Sequence, residues 1–154
     1  MSAGSMRDGG PEREGAVVPT NRIPAKAVLA LVEEPGDRIV VGWNPSSYRV
    51  RRSRAGAAEF PGPAPGRADG EELSTELFVD TSDRVGGERD ARRSSESLRR
   101  WMAPAPGTFR PPKVLVVWGT LRFAGIIVEV DERWWRFDPD GTPVRGTIRI
   151  VLRS

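Results

Sequence analysis

The chain has 154 residues, 38% hydrophobic and 29% charged, with 22 arginines, 2 lysines, no histidine and no cysteine. That suits one soluble domain able to hold a core without disulfides or a structural metal, and it excludes catalytic triads, cysteine nucleophiles, zinc fingers and His/Cys metal sites. The formal charge of +3 divides unevenly: 0 over residues 1–22, −3 over 23–83, +4 over 84–112 and +2 over 113–154.

Residues 1–22 are rich in Gly, Ser, Pro and balanced charge, and they read as a disordered N-terminal tail with too little apolar surface to offset ordering. The region has no apolar signal-peptide core, and the apolar runs near 114–118 and 124–128 are far short of a membrane span. The domain is expected over 23–154. Residues 26–33 can be a short helix or a buried strand on periodicity alone; with the turn at 34–37 and the β-branched run 38–43, strand–turn–strand fits. Asn44-Pro45 ends that run. Tyr48 to Arg52 resumes an alternation, with Tyr48 and Val50 on one face and Arg49 and Arg51 on the other.

Residues 53–70 hold prolines, glycines and almost no large apolar residue, a long loop of the kind that is functional or disordered. Leu73 to Asp80 alternates again, with Leu73, Leu77 and Val79 against Ser74, Glu76 and Asp80. The one predicted helix spans about 90–102. Asp90 caps it, Ala91, Leu98, Trp101 and Met102 fall on one face, and that narrow stripe packs on a sheet through Leu98 and Trp101 alone. Lys113 to Trp118 reads as a central strand that Leu121 to Val130 prolongs past Gly119-Thr120, followed by a separate strand at 132–137. After the turn at 138–143, the last strand sets Val144, Ile148, Ile150 and Leu152 against Arg145, Thr147, Arg149 and Arg153. The sum is mainly β: an antiparallel β-sandwich or split barrel of about seven strands with one helix.

Few motifs carry chemistry. Asp138-Pro139-Asp140-Gly141 lacks the glycine and glutamate that a calcium loop needs at its sixth and twelfth positions, where Pro143 and Arg149 stand, so it reads as a hairpin turn. Proline in Asn44-Pro45-Ser46 excludes a glycosylation acceptor, and no phosphate-binding glycine loop is present. Glu71 with Glu72, and Asp80 with Asp83, are possible carboxylate pairs with no nucleophile nearby; they read as solvated turn residues. The arginines at 49–54 and 92–100 could track a phosphate backbone, but the aromatics lie in core-like patterns, so a solvated or subunit-contact face is the better reading. Trp134 and Trp135 are adjacent in a strand and must point to opposite faces. One belongs to the core; the other lies under the helix or at an interface.

Four stretches, read in order, resemble the contractile injection system tube proteins, in particular the N-terminal tube domain of hub proteins in phage-tail-like particles. They are Gly42-Trp43-Asn44-Pro45-Ser46-Ser47-Tyr48, residues 73–81 beginning Leu73-Ser74-Thr75, residues 117–125 around Trp118-Gly119, and residues 137–145 containing Asp140-Gly141-Thr142-Pro143. The resemblance covers about 24–153. It implies a tail-tube-like domain without enzymatic activity or cofactor, assembling as a hexameric ring that joins the inner tube to the spike and baseplate, as tube initiator or adaptor. The alternatives are a main inner-tube subunit and an arginine-rich nucleic-acid-binding barrel.

On this reading the partners are further copies of the chain, the inner-tube protein and spike or baseplate proteins; neither membrane insertion nor nucleic acid is expected. Assembly would take place in the cytoplasm, into a phage-tail-like particle. Family members often carry a LysM domain after the tube domain, and this sequence shows none. The loop, with Arg54, Phe60, Pro61, Pro65 and Arg67, is the expected arm toward an adjacent ring. Arg145, Arg149 and Arg153, with Trp134 and Trp135, are expected to line the lumen or a subunit contact.

Overall fold

The computed structural model describes residues 25–53 and 70–154. The N-terminal tail and the arm residues Arg54, Phe60, Pro61, Pro65 and Arg67 therefore lie outside the described residues. Seven strands, β1 (Val28–Leu31), β2 (Arg38–Val40), β3 (Tyr48–Ser53), β4 (Gly70–Asp80), β5 (Val114–Trp118), β6 (Leu121–Phe137) and β7 (Pro143–Arg153), form one antiparallel sheet in the order β2-β1-β5-β6-β7-β4-β3. Between β4 and β5 stand two 3₁₀ turns, Gly86–Arg89 and Ala91–Ser95, and the helix α1 (Glu96–Trp101).

The mainly β, seven-stranded architecture is as the sequence pattern predicts, with one boundary moved. Residues 121–130 do not prolong β5. They fold back on it through a two-residue turn, Trp118 opposite Leu121, with Gly119 at φ +58. The same strand then runs without interruption to Phe137, so the separate strand expected at 132–137 is the far half of β6. Charged residues at 129, 131 and 132 look like a break in the sequence, but Glu129 and Asp131 sit on the solvated outward face of the strand, while half-buried Glu132 points to the helix side and lies 3.6 Å from Arg99.

β6 changes partner along its length. Leu121 to Gly125 pairs with β5, and Ile126 to Phe137 pairs with β7, through bulges near 128 and 135. Gly125 stands at the changeover, where a β-carbon would lie 2.6 Å from the Arg153 carbonyl oxygen. The sheet thereby coils over itself, and Leu29, Val114 and Val116 of one half share a core with Leu73, Leu77, Ile148, Ile150 and Leu152 of the other.

The predicted helix is mostly 3₁₀, becoming α only at Glu96. Asp90 does cap it, accepting from the Arg92 backbone N–H. Its buried face is wider than Leu98 and Trp101 alone, because Ala91 and Ser95 are also fully buried. Trp101 fills the core while its Nε1 donates to Asp37 in the β1–β2 turn at 3.0 Å, so the polar end of the indole is satisfied.

Gly146 of β7 is the tightest point. A β-carbon there would stand 2.3 Å from the Arg133 carbonyl oxygen and 2.3 Å from the Trp134 ring. Overpacking of this kind costs about 1–3 kcal/mol. Gly146→Ala is expected to lower the unfolding free energy measured by urea titration by that amount, whereas Gly36→Ala, in open space, leaves it unchanged.

Candidate assembly surface

Turn motifs of the sequence come together as a lock between the two halves of the sheet. Asn44 accepts from the Ala27 backbone N–H at 2.9 Å and donates to the Ala25 carbonyl at 2.8 Å, holding the β2–β3 segment against the chain entering β1. Pro45 is buried beside it. Tyr48 meets Trp118 edge-to-face at 6.2 Å, the Trp118 Nε1 donates to the Ala25 carbonyl, and Thr75 donates to the Ser47 carbonyl. So Asn44, Pro45, Tyr48 and Trp118, distant in sequence, belong to one structural clasp.

Asp140, Gly141 and Pro143 form the β6–β7 turn. Asp140 accepts from the Thr142 backbone N–H, which lowers its pKa, and Gly141 takes φ +86. Arg89, which sequence reasoning did not single out, clamps this turn to the 3₁₀ segment: its guanidinium binds both oxygens of Asp138 at 2.7 Å and the carbonyls of Ser82 and Arg84. The Asp138 carboxyl is held below its ordinary range by that contact, and Arg89 is raised.

The outward face of β3, β4, β7 and β6 carries the expected arginine stripe, and two of its three β7 arginines are ion-paired. Arg145 pairs with Asp80 at 2.6 Å and Arg153 with Glu72 at 3.0 Å, while Arg149 sits in register between Glu76 and Asp131. The carboxylates Glu72 and Asp80 are thus ion-pair partners rather than solvated turn residues. Arg52 pairs with Glu71 across β3 and β4. Trp134 turns inward against the core and Trp135 outward, as adjacent strand residues must. Outside, Trp135 lies 6.2 Å from Phe78, which lies 6.1 Å from Trp43. That aromatic row was legible only in part: Phe78 falls on the polar face of the β4 alternation, but its neighbours come from other elements.

Among the described residues, β2 and β3 each end the sheet, and the half of β6 beyond Gly125 has no strand on the side that β5 vacates. By contrast, no group of three or more potential metal ligands exists among the described residues. A groove of about 770 Å³ beside the fully exposed Phe109 is lined by Arg110, Lys113, Ile126 and Arg153, with Glu33 as its one acidic side chain. It brings together no nucleophile and base. No described helix is long and apolar enough to cross a membrane.

The family model of the contractile injection system tube protein matches residues 30–154. The chain belongs to that family. Its members are structural tube components, which agrees with a surface made of strand edges and ion-paired faces rather than a reactive cleft. No curated protein matches the sequence closely enough to stand as a relative. As a tube-family protein it is a component of a phage-tail-like particle that assembles with its own kind and other tail parts.

The Asp80 contact is testable by pH. Hydrogen bonds from Ser82, with the Arg145 ion pair, lower the Asp80 pKa from 3.8 to about 2. The folded value lies below the unfolded one, so the stabilisation is complete above about pH 4 and is lost as pH falls through about 2; it amounts to about 2 kcal/mol. Urea midpoints measured between pH 5 and pH 2 should fall more steeply for the native chain than for Asp80→Asn.

Proposed function

We propose that this protein forms a hexameric ring that joins the inner tube of a contractile injection particle to its spike and baseplate, as tube initiator or adaptor. The observation that carries the reading is the pair of edges, open among the described residues, that bound the four strands β3-β4-β7-β6: β3 at one side and the far half of β6 at the other. They are different edges, so a contact between them is head-to-tail, and such contacts close into a ring when the rotation per subunit divides a full turn. An exposed strand edge in an isolated protomer is an aggregation hazard that pairing in an assembly removes. The six-fold number and the initiator role rest on the family resemblance of the tube domain.

Residues 54–69 serve in this reading as the arm to the adjacent ring. Arg145, Arg149 and Arg153 belong to the face that lines the lumen, with Trp135 toward its margin. The partners are the inner-tube protein and the spike, and assembly takes place in the cytoplasm before the particle is complete.

Negative-stain imaging and native mass measurement of the purified chain mixed with its spike and tube proteins are expected to show single rings seated on the spike. Long tubes of this chain alone would make it the main tube subunit, and monomers throughout would overturn the ring. Deleting residues 54–69 is expected to leave a folded domain that forms rings but no longer stacks them; normal stacking would overturn the arm.

A further inference from the structure

Across the outward face, the charged side chains of successive strands alternate in sign. β3 presents Arg49 and Arg51; β4 presents Glu72, Glu76 and Asp80; β7 presents Arg153, Arg149 and Arg145; β6 presents Glu129 and Asp131. Directly opposed residues in these ladders share a face, and opposite charges there are favourable while like charges are not. The series begins with the basic pair Arg49 and Arg51 on one open edge and ends, before Arg133, with the acidic pair Glu129 and Asp131 on the other. Strand direction alternates as well, and with four strands the two outermost run in opposite senses.

Resting on the ring reading, we infer that β3 of one copy pairs antiparallel with the far half of β6 of the next, Arg49 facing Asp131 and Arg51 facing Glu129, so that charge selects both the partner edge and the register. This register is the one in which both arginines meet carboxylates on the outward face. It also sets Val50 opposite Val130, two half-buried apolar residues on the inward face that already pack at the margin of the core. The six residues of β3 end before Arg133, the next outward-facing residue of β6, so no arginine meets an arginine. A slip by one residue would put Arg49 or Arg51 over an inward-facing position, and pairing of β3 with a second β3 would bring arginine columns together.

The chain has no cysteine, so an engineered pair reports the contact directly. Within one protomer, residues 49 and 131 are separated by two intervening strands, about 14 Å at the usual spacing, well beyond disulfide reach. The double variant Arg49→Cys with Asp131→Cys, mildly oxidised with tube and spike proteins present, is expected to give a ladder of covalent oligomers on a denaturing gel. Arg51→Cys with Glu129→Cys should do the same, which covers the case in which one pair folds poorly; Arg49→Cys with Asp140→Cys should give monomers. Arg49→Glu with Arg51→Glu is expected to raise the concentration for half-assembly about tenfold, equivalent to about 1.4 kcal/mol, with recovery when Glu129→Arg and Asp131→Arg are added. Rings seen by microscopy without either ladder would overturn this pairing and leave the ring standing. Absence of rings and ladders alike would overturn both.

Discussion

One strand with two partners sets most of this structure. β6 is 17 residues long, far beyond the usual five or six, and no single neighbour covers it. Its first part is bound to β5 and its remainder to β7, so the sheet divides into two halves that share a strand and fold over one core. The division requires close backbone approach at the changeover, which Gly125 permits. It also leaves the far half of β6 open on one side. The shared core and the open edge are consequences of the same offset.

Among the described residues, three polar contacts tie separate elements of this fold together. The Asn44–Tyr48–Trp118 clasp ties the β2–β3 segment to the start of β1 and the end of β5. Asp37, accepting from Trp101 and Arg100, ties the β1–β2 turn to α1. Arg89 and Asp138 fasten the β6–β7 turn to the 3₁₀ segment. Each uses a polar group to satisfy buried or half-buried partners, so their value is in geometry as much as in net energy.

The protein's arginine content has the same logic. Arginine makes bidentate, planar contacts with carboxylates, and here it is used at Asp138, Asp90 and Asp80. Basic composition that suggests a polyanion partner in the sequence is, on the outward sheet face, largely neutralised within the protomer. On that face Arg49 and Arg51 of the edge strand β3 make no ion pair among the described residues.

The sequence by itself determined the strand count, the capping of the helical segment by Asp90, the hairpin at 138–143, the inward and outward alternation of β4 and β7, and the opposite facing of Trp134 and Trp135. These follow from period-two patterns, turn residues and local side-chain bonds, which act over a few positions. It also excluded most enzyme chemistry through the missing histidine and cysteine. The merging of 121–137 into one strand, the Arg89 clamp, the Trp43–Phe78–Trp135 row and the open edge of β6 were decided only in the tertiary structure. Each depends on which strands become neighbours, and that choice is made by long-range burial and register, for which a single chain of letters carries no local signal.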